Sequence, residues 1–344
     1  MNDKITFVLP SKGVIADPTR DFLDKCGLHV HKSNPRQYTG SIPAIPTISV
    51  LFQRVKDVVY KVADGTAQIG ITGLDVVREY PHDNLIVIHG NLDYGHCKLM
   101  VAVPEAWVDV ESMADLVDVA LDFREEKHSN LRVATTFANL TRQFLHANGV
   151  HHFTLVKAEG AIEAAPTIGY ADIITDLIQT GTTLRENHLK TFRGGIIVES
   201  QACLIGNRLA LQNNPLLMET VRVLLEHIDS ALYGKQYSQL TVNIPGEDAE
   251  AVGRRVIGNP VTTGLLGPTI APVYSPNDND DRRQWFSITI TIRTKNMLEA
   301  VEYLRAIGST QIVVVPVNNV FLKDSPTFAR LIGQLSQAQP VDPD

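Results

Sequence analysis

The stretch Asp172–Leu184, Asp-Ile-Ile-Thr-Asp-Leu-Ile-Gln-Thr-Gly-Thr-Thr-Leu, decides the fold class of this chain. Its first half is an apolar run typical of a buried β-strand, and the polar segment Thr180–Thr183 predicts a loop that opens a helix. Backbone N–H groups at a helix N-terminus, threonine hydroxyls and a flexible glycine can together bind a phosphate monoester. A structural alternative is that Thr182 or Thr183 only caps the helix while Gly181 forms a turn.

Asp176 stands at the end of this predicted strand, just before the loop. A carboxylate at that position can accept hydrogen bonds from the two hydroxyls of a ribose. The chain contains no GxxxxGK[ST] segment, and no GxGxxG segment opens a helix, so neither a Walker A loop nor a dinucleotide fold is supported. The pattern makes Thr180–Thr183 a candidate site for the phosphate of a sugar phosphate.

Strand and helix patterns alternate on both sides of this stretch. Predicted strands at Lys4–Leu9, Ile48–Phe52 and Gln68–Ile71 are separated by helix patterns such as Val55–Ala63. The alternation starts again at about Lys98 and continues through the strand before Thr180. Such an order favours an α/β fold with parallel sheets.

The alternation predicts two lobes, and a cleft between two such lobes suits a small ligand. We expect the chain to cross back near Ile196–Ile205, which makes the first lobe discontinuous. The predicted limits are residues 1–98 and 196–234 for the first lobe and 99–195 for the second.

The order of predicted elements changes after a long helix pattern at Asn213–Tyr233, which predicts a third domain. Residues 235–325 follow the order βαββαβ, which is typical of a ferredoxin-like sandwich, a common ligand-sensing module. Residues 335–344 are predicted to be a disordered tail.

The charge balance limits the partners. The formal net charge is −7, which disfavours nucleic acid and anionic membranes because both select basic surfaces. A locally positive pocket for a small anion stays compatible with an acidic protein.

Cysteine usage and hydropathy favour a cytoplasmic protein. Cys26, Cys97 and Cys203 are far apart and form no CxxC pair, so we expect reduced thiols and no zinc site. The apolar run Ile5–Leu9 is too short for a signal peptide, and no stretch approaches a membrane span.

Several blocks closely resemble the long form of the ATP phosphoribosyltransferases. They are Leu9–Gly13, Ile69–Asp75, Gly95–Leu99, Asn139–Arg142, Glu159–Pro166, Ala171–Asn187 and Gly264–Val273. They occur in the family's order and spacing, and the resemblance runs from about residue 4 to 322.

The resemblance implies a fold and a reaction. The expected fold is a two-lobed core like the type II periplasmic binding proteins, followed by a ferredoxin-like regulatory domain. The expected reaction joins N1 of ATP to C1′ of phosphoribosyl pyrophosphate (PRPP), with release of pyrophosphate, as the first step of L-histidine biosynthesis. Such a centre reacts through an oxocarbenium-like transition state, so positioning and charge stabilisation would dominate catalysis. The implied cofactor is Mg²⁺, which uses few protein ligands when phosphates bind it.

The resemblance also implies roles for individual residues. The PRPP site would hold the 5′-phosphate and the ribose through Thr180, Gly181, Thr182, Thr183, Asp176 and Glu163. The catalytic cations near the leaving pyrophosphate would be Lys12, Arg36 and Arg54, and the ATP site would include Lys12, Gly13 and Asp75. No dedicated set of metal ligands is expected, and Asp176 is the candidate contact for Mg²⁺.

Some of these residues have ordinary structural alternatives. Arg36 and Arg54, taken singly, are typical of solvated surface charges. Asp75 also suits the first turn of a helix, where its charge complements the helix dipole. One position departs from the family, because many members carry Arg where this chain has Val14. A cation near ATP is therefore missing or supplied elsewhere.

The third domain resembles the part that binds histidine as a feedback inhibitor and defines a homo-oligomer, from dimer to hexamer. The matching positions are Asn243, Thr269, Thr291 and Gln311. Asn243 stands where relatives carry an Asp for the histidine ammonium, and an amide provides no charge. The alternative for all four is ordinary strand surface. For the whole chain, the rival functions are an inactive regulatory relative and a two-lobed small-anion-binding protein.

Overall fold

The computed structural model describes residues 4–34, 36–158, 160–274 and 284–336. The strands are, in chain order, β1 (Ile5–Pro10), β2 (Thr39–Ser41), β3 (Ile48–Gln53), β4 (Ile69–Gly73), β5 (Leu85–His89), β6 (Cys97–Pro104), β7 (Leu131–Thr135), β8 (Phe153–Lys157), β9 (Ile173–Ile178), β10 (Leu189–Ser200), β11 (Ala202–Asn207), β12 (Tyr237–Gly246), β13 (Thr269–Pro272), β14 (Gln284–Arg293) and β15 (Ile312–Pro316). They form three sheets.

Helices connect most of these strands. They are α1 (Ala16–Lys25), α2 (Val55–Ala63), α3 (Leu74–Glu79), α4 (Met113–Glu125), α5 (Ala138–Ala147), α6 (Ala165–Ile168), α7 (Thr182–Glu186), α8 (Arg208–Asn213), α9 (Pro215–Gly234), α10 (Ala249–Val256), α11 (Met297–Ala306) and α12 (Pro326–Ser336). Short 3₁₀ turns occur at Ile162–Ala164, Pro260–Thr263 and Thr294–Asn296. Within the described part of the chain, no helix has both the length and the apolar character that crossing a membrane requires.

The first sheet has six strands in the order β2-β3-β1-β4-β11-β5. Strands β3, β1 and β4 are parallel, and Phe7 of β1 lies opposite Val50 of β3 and Ile69 of β4. These strands are nearly continuous apolar runs, as expected where both faces of a parallel sheet are covered. Strand β11 is antiparallel to both of its neighbours.

The second sheet repeats this arrangement with five strands in the order β10-β6-β9-β7-β8. Strands β9, β7 and β8 are parallel, and β6 is antiparallel to β9. In each sheet, the strand that begins directly after the chain crosses between the two lobes, β11 or β6, is antiparallel to both of its neighbours. Strand β2 is also antiparallel, to β3 at the edge of the first sheet. This arrangement confirms the predicted core, which is like the type II periplasmic binding proteins.

The chain crosses back inside the predicted window, although the predicted limit at residue 195 lies within β10. Residues Ile196–Ser200 still pair with β6, and the crossing is at Gln201, between β10 and β11. Between Thr191 and Ile196 the pairing register of β10 shifts, as at a β-bulge. The strand bends and stays in its sheet.

The protein divides into two units. One holds both large sheets and comprises the described parts of Met1–Phe22, His29–Thr220 and Arg330–Asp344. The other comprises Leu23–Leu28 and the described parts of Val221–Ala329. It contains a four-stranded sheet in the order β13-β14-β12-β15, and α10 and α11 supply the two helices of the predicted βαββαβ sequence. Leu240, Ile288 and Leu304 belong to its core. The ferredoxin-like prediction is confirmed.

Three helices, α4, α8 and α12, were not predicted. Helix α4 begins with a capping box, in which the Ser112 hydroxyl and the Asp115 carboxylate bond to each other's backbone N–H groups. Helix α12 ends at Ser336, so the first two residues of the predicted tail 335–344 are helical. The remainder of the predicted tail, residues 337–344, lies outside the described residues.

Helix α3 of the first lobe contacts α5 of the second lobe through a buried carboxylate. Glu79 is 2% exposed, and its two carboxylate oxygens accept hydrogen bonds from the backbone N–H groups of Asn139 (3.0 Å) and Leu140 (2.9 Å). The amide of Asn139 also donates to the backbone carbonyl of Glu79 at 3.0 Å. Because the N-cap residue Phe137 supplies no side-chain hydrogen bond, Glu79 serves as the cap of α5.

Replacing this carboxylate should destabilise the protein. We expect Glu79→Gln to lower the free energy of unfolding by about 1–3 kcal/mol, because the amide NH2 group cannot accept from the second N–H group. Chemical denaturation checks this value. Glu125→Gln, at an exposed position of α4, is the matched control and should change stability by no more than about 0.5 kcal/mol. Equal effects of the two variants would contradict the capping role.

Candidate active site

A cavity of about 500 Å³ lies at the carboxyl ends of the parallel strands of both large sheets. The residues that follow these strands and line it are Val14 and Ile15 after β1, Val55 and Lys56 after β3, Asp75 and Val76 after β4, Thr136 and Phe137 after β7, and Gln179, Thr180 and Gly181 after β9. Ligands of open parallel sheets bind at this edge, because the loops there vary without disturbing the strands. The cavity is therefore the candidate active site.

The loop after β9 has the geometry of an open helix N-terminus. Gly181 is the N-cap residue of α7 with φ of 72°, a left-handed conformation that favours glycine, and it supplies no side-chain cap. Thr182 and Thr183 lie inside the first turn, so neither caps the helix as the structural alternative required. Thr180, Gly181 and Thr183 line the cavity, whereas Thr182 is not among its described lining residues. The Thr180 and Thr182 hydroxyls lie 3.2 Å apart.

Asp176 is a largely buried carboxyl group in the cavity wall. Burial raises its pKa to about 6, a hydrogen bond from the Leu177 N–H opposes the rise, and the negative charge of Glu163 adds to it. Glu163 lines the same cavity from the 3₁₀ turn Ile162–Ala164. The two acidic residues predicted for the PRPP site are thus brought close together.

Asp75 lines the cavity and also holds the crossing between the lobes. It is 4% exposed, and the Ser200 hydroxyl donates to its carboxylate at 2.5 Å while accepting from the Asp75 N–H at 2.8 Å. Burial raises the pKa of Asp75. A Cβ atom at Gly73 would overlap the Asp75 carboxylate, so this turn requires glycine. These contacts suit the structural alternative for Asp75, and its place in the wall suits a ligand contact.

The predicted inhibitor positions meet on one face of the four-stranded sheet. Val242 and Ile244 of β12 are buried against the helices, so Asn243 between them faces the opposite side. Thr291 of β14 faces the same side for the same reason, because Ile290 and Ile292 are buried.

The other two positions lie beside them. Thr269 is opposite Thr289 in the register of β13 and β14, which places it on the open face with Thr291. Gln311 directly precedes β15, and the N–H of its neighbour Thr310 donates to the carbonyl of Asn243 at 3.4 Å. The hydroxyls of Thr241 and Thr289 lie 3.4 Å apart in the same layer. The open face is therefore rich in hydroxyl and amide groups.

Comparison with known proteins identifies the family. The family model described as ATP phosphoribosyltransferase matches residues 54–230, and the model of the HisG C-terminal domain matches residues 234–319. ATP phosphoribosyltransferase 2, chloroplastic, of Arabidopsis thaliana is 40% identical over 337 residues, covering 97% of this chain and 81% of that relative. The chain belongs to the ATP phosphoribosyltransferase family.

A bacterial relative agrees with this assignment, and a solved structure shares the fold. ATP phosphoribosyltransferase of Bradyrhizobium diazoefficiens is 32% identical over 334 residues, covering 96% of this chain and 98% of that relative. The ATP phosphoribosyl transferase (HisG:HisZ) complex from Thermotoga maritima contains a chain that is 23% identical, with a TM-score of 0.50, and the match covers 65% of this chain and 96% of that chain. The second likeness concerns the fold alone.

The cations that the ATP phosphoribosyltransferase resemblance indicated lie outside the cavity wall. Lys12 and Gly13 are exposed in the loop after β1, and Arg54 is the exposed N-cap residue of α2. Arg36 is also exposed, and its N–H donates to the Asn34 side chain at 2.9 Å. None of the four is among the described residues that line the cavity.

Among the wall residues that the sequence did not indicate, Lys56, Tyr80 and Phe137 stand out by their chemistry. Lys56 is the basic side chain among the described lining residues, and Tyr80 and Phe137 add aromatic surface. The signal for Lys56 is its place two residues after Arg54, at the start of the predicted helix Val55–Ala63. Nothing in the sequence pattern marks Tyr80 or Phe137, because their place in the cavity wall depends on tertiary contacts rather than on local spacing.

The raised pKa of Asp176 predicts a pH-dependent effect of its replacement. The folded-state value of about 6 lies above the ordinary value of 3.8, so the folded protein binds more protons between these values and loses stability as pH rises through about 6. We expect Asp176→Asn to match the wild type near pH 4. At pH 8 the variant should be more stable by up to about 3 kcal/mol.

Chemical denaturation at both pH values checks this expectation, without ligands or divalent cations. Asp118→Asn, at an exposed position of α4, is the control and should show no such difference between the two pH values. A stability gain for Asp176→Asn that is the same at pH 4 and pH 8 would show that the effect does not arise from ionisation.

Proposed function

We propose that the protein transfers the phosphoribosyl group of PRPP to N1 of ATP, with release of pyrophosphate, as the first step of L-histidine biosynthesis. One observation carries the proposal beyond family membership. A single cavity combines the open helix N-terminus at Gly181, the carboxyl pair Asp176 and Glu163, and an apolar wall that includes Val76 and Phe137. The first two features suit a ribose phosphate, and the third suits a purine ring.

The phosphoribosyl half of the reaction would be a matter of positioning. Backbone N–H groups near Gly181 and the hydroxyls of Thr180 and Thr183 would hold the 5′-phosphate, with Thr182 supporting the turn. Asp176 would accept hydrogen bonds from the ribose hydroxyls. Both contacts fix the sugar while C1′ passes through an oxocarbenium-like state, so that adenine N1 can attack from the face opposite the departing pyrophosphate.

The charges of the cavity favour a divalent cation that arrives with the phosphates. Among the described residues, no group of three or more His, Cys, Asp or Glu side chains could hold a metal ion. Asp176 and Glu163 line the cavity together, and two carboxylates suit a Mg²⁺ ion that takes its other ligands from phosphate and water. When bound, Mg²⁺ would neutralise the leaving pyrophosphate. Asp176 is the proposed contact.

Lys12, Arg36 and Arg54 are the proposed cations for the leaving pyrophosphate, with Lys12, Gly13 and Asp75 on the ATP side. The positions of two of them support this assignment. Arg54 immediately precedes the lining residue Val55, and Gly13 immediately precedes the lining residue Val14. The long, flexible side chains of Lys12 and Arg54 can reach a polyphosphate at the rim of the cavity.

In this proposal the two lobes carry out catalysis, and residues 235–325 bind L-histidine as a regulator. The open sheet face that carries Asn243, Thr269 and Thr291, beside Gln311, offers the hydroxyl and amide groups that an amino acid needs. A homo-oligomer, from dimer to hexamer, and a cytoplasmic location complete the proposal.

An absorbance assay with ATP, PRPP and Mg²⁺ tests the reaction through the N1-substituted adenine product. We expect product from the wild type and a loss in kcat/KM of about 100-fold or more for Asp176→Ala, because the ribose is no longer oriented. Asp118→Ala should keep wild-type activity. Absence of product, with both ligands still bound in calorimetry, would favour the inactive regulatory relative or the small-anion-binding protein instead.

One substitution at the proposed histidine site should increase the affinity for L-histidine. Asn243→Asp should tighten histidine binding by about 10-fold, because a carboxylate forms a charge-assisted hydrogen bond with the ammonium. Calorimetry with L-histidine measures this change. Gln284→Glu adds the same charge at an exposed end of β14 and should leave the affinity unchanged. An Asn243→Asp variant with no gain would place the inhibitor elsewhere.

A further inference from the structure

The lining of the active-site cavity combines polar and apolar surface. The loop after β9 supplies hydroxyl and backbone groups, whereas Val14, Ile15, Val55 and Val76 supply aliphatic surface. Tyr80 and Phe137 add two aromatic rings. Aliphatic and aromatic surface of this kind suits a planar heterocycle and provides no countercharge for its phosphates.

The charged residues of the wall limit which side chain can supply that countercharge. Among the described residues, the carboxylates that line the cavity are Asp75, Glu163 and Asp176, and the basic side chain is Lys56. The position after Gly13 offers no help, because Val14 lines the cavity with an uncharged side chain that is 66% exposed. A polyphosphate that enters this cavity therefore meets one ammonium group in its wall.

Two tyrosine rings hold the Lys56 ammonium in place, Tyr80 from the end of α3 and Tyr60 from its own helix. Its Nζ lies 4.3 Å from the centroid of the Tyr80 ring and 5.7 Å from that of the Tyr60 ring. The centroids of the two rings are 5.4 Å apart, so the ammonium contacts a tilted aromatic pair. A hydrogen bond with Tyr80 raises the pKa of Lys56, which shows that this environment favours the ammonium form. Lys56 and Tyr80 both line the cavity, on α2 and at the end of α3.

We infer that Lys56 is the residue that binds the phosphates of ATP in this chain, with Tyr80 as the positioning residue that holds its ammonium at the cavity wall. The inference rests on the proposed function for the identity of the nucleotide. Val14 supplies no positive charge, and in this inference the charge comes from the first turn of α2 instead. The aromatic contact limits the freedom of a long side chain, so less conformational entropy is lost when the phosphate binds.

Calorimetry with two ligands tests this role directly. Lys56→Met keeps the length of the side chain and removes its charge, so the affinity for ATP should fall by about 10- to 100-fold. The affinity for adenosine should stay unchanged, because adenosine lacks the phosphates. Lys56→Arg should restore most of the ATP affinity. Lys61→Met, the same substitution on α2 outside the lining residues, is the control and should bind ATP like the wild type.

Tyr80→Phe tests the positioning role. This variant keeps the ring and removes the hydroxyl, so it should weaken ATP binding less than Lys56→Met, again with no effect on adenosine. Equal ATP affinities of Lys56→Met and Lys61→Met would overturn the inference. So would a Lys56→Met variant that loses adenosine and ATP to the same extent, because that result would indicate a damaged wall.

The kinetic assay separates the inference from the proposed function. Lys56→Met should raise KM for ATP and leave KM for PRPP unchanged, whereas Arg54→Met should have the smaller effect on ATP. If the wild type binds ATP but forms no N1-phosphoribosyl product, the proposed function fails and the ATP contact stands. If product forms and Lys56→Met keeps the wild-type KM for ATP, the contact fails and the function stands.

Discussion

The buried carboxylates of α3 hold the two lobes to each other. This six-residue helix follows β4 of the first lobe, and its second residue, Asp75, bonds to Ser200 where the chain crosses back. Its last residue, Glu79, caps α5 of the second lobe. Both bonds satisfy groups that water cannot reach, so breaking either leaves a buried polar group without a partner. The width of the cavity depends on these contacts because its two walls belong to different lobes.

The same arrangement explains in part why carboxylates outnumber basic side chains among the described residues of the wall. Asp75 bonds at the crossing, and Asp176 and Glu163 would bind the ribose and its cation in the proposed reaction, so the carboxylates have separate reasons to be present. Burial of Asp176 raises its pKa to about 6, which means that its ionised form is destabilised relative to an exposed carboxylate. Shifted pKa values of this kind are common at functional sites.

The parts of the molecule that follow from local pattern could be predicted, and those that follow from tertiary contact could not. Alternation of apolar and polar residues on β12 and β14 places Asn243 and Thr291 on one face. The strand, loop and helix around Gly181 follow from composition in the same way. The predicted limit at residue 195 falls inside β10, because pairing with β6 continues to Ser200 across a register shift that the sequence pattern does not mark. Lys56 was missed because Tyr80, its partner, lies on another element.

Ionisation of Asp176 links the wall to the choice of ligand. In the proposed reaction a ribose would donate two hydrogen bonds to the ionised carboxylate, and a divalent cation would also favour that form, so either ligand would lower the pKa of Asp176. A ligand without hydrogen-bond donors or positive charge does not offset the desolvation free energy of the buried Asp176 carboxylate. The burial that destabilises the ionised carboxylate would thus make the proposed site select against such ligands, because selectivity depends on the difference in binding free energy between ligands. In that role Asp176 would affect specificity as well as affinity.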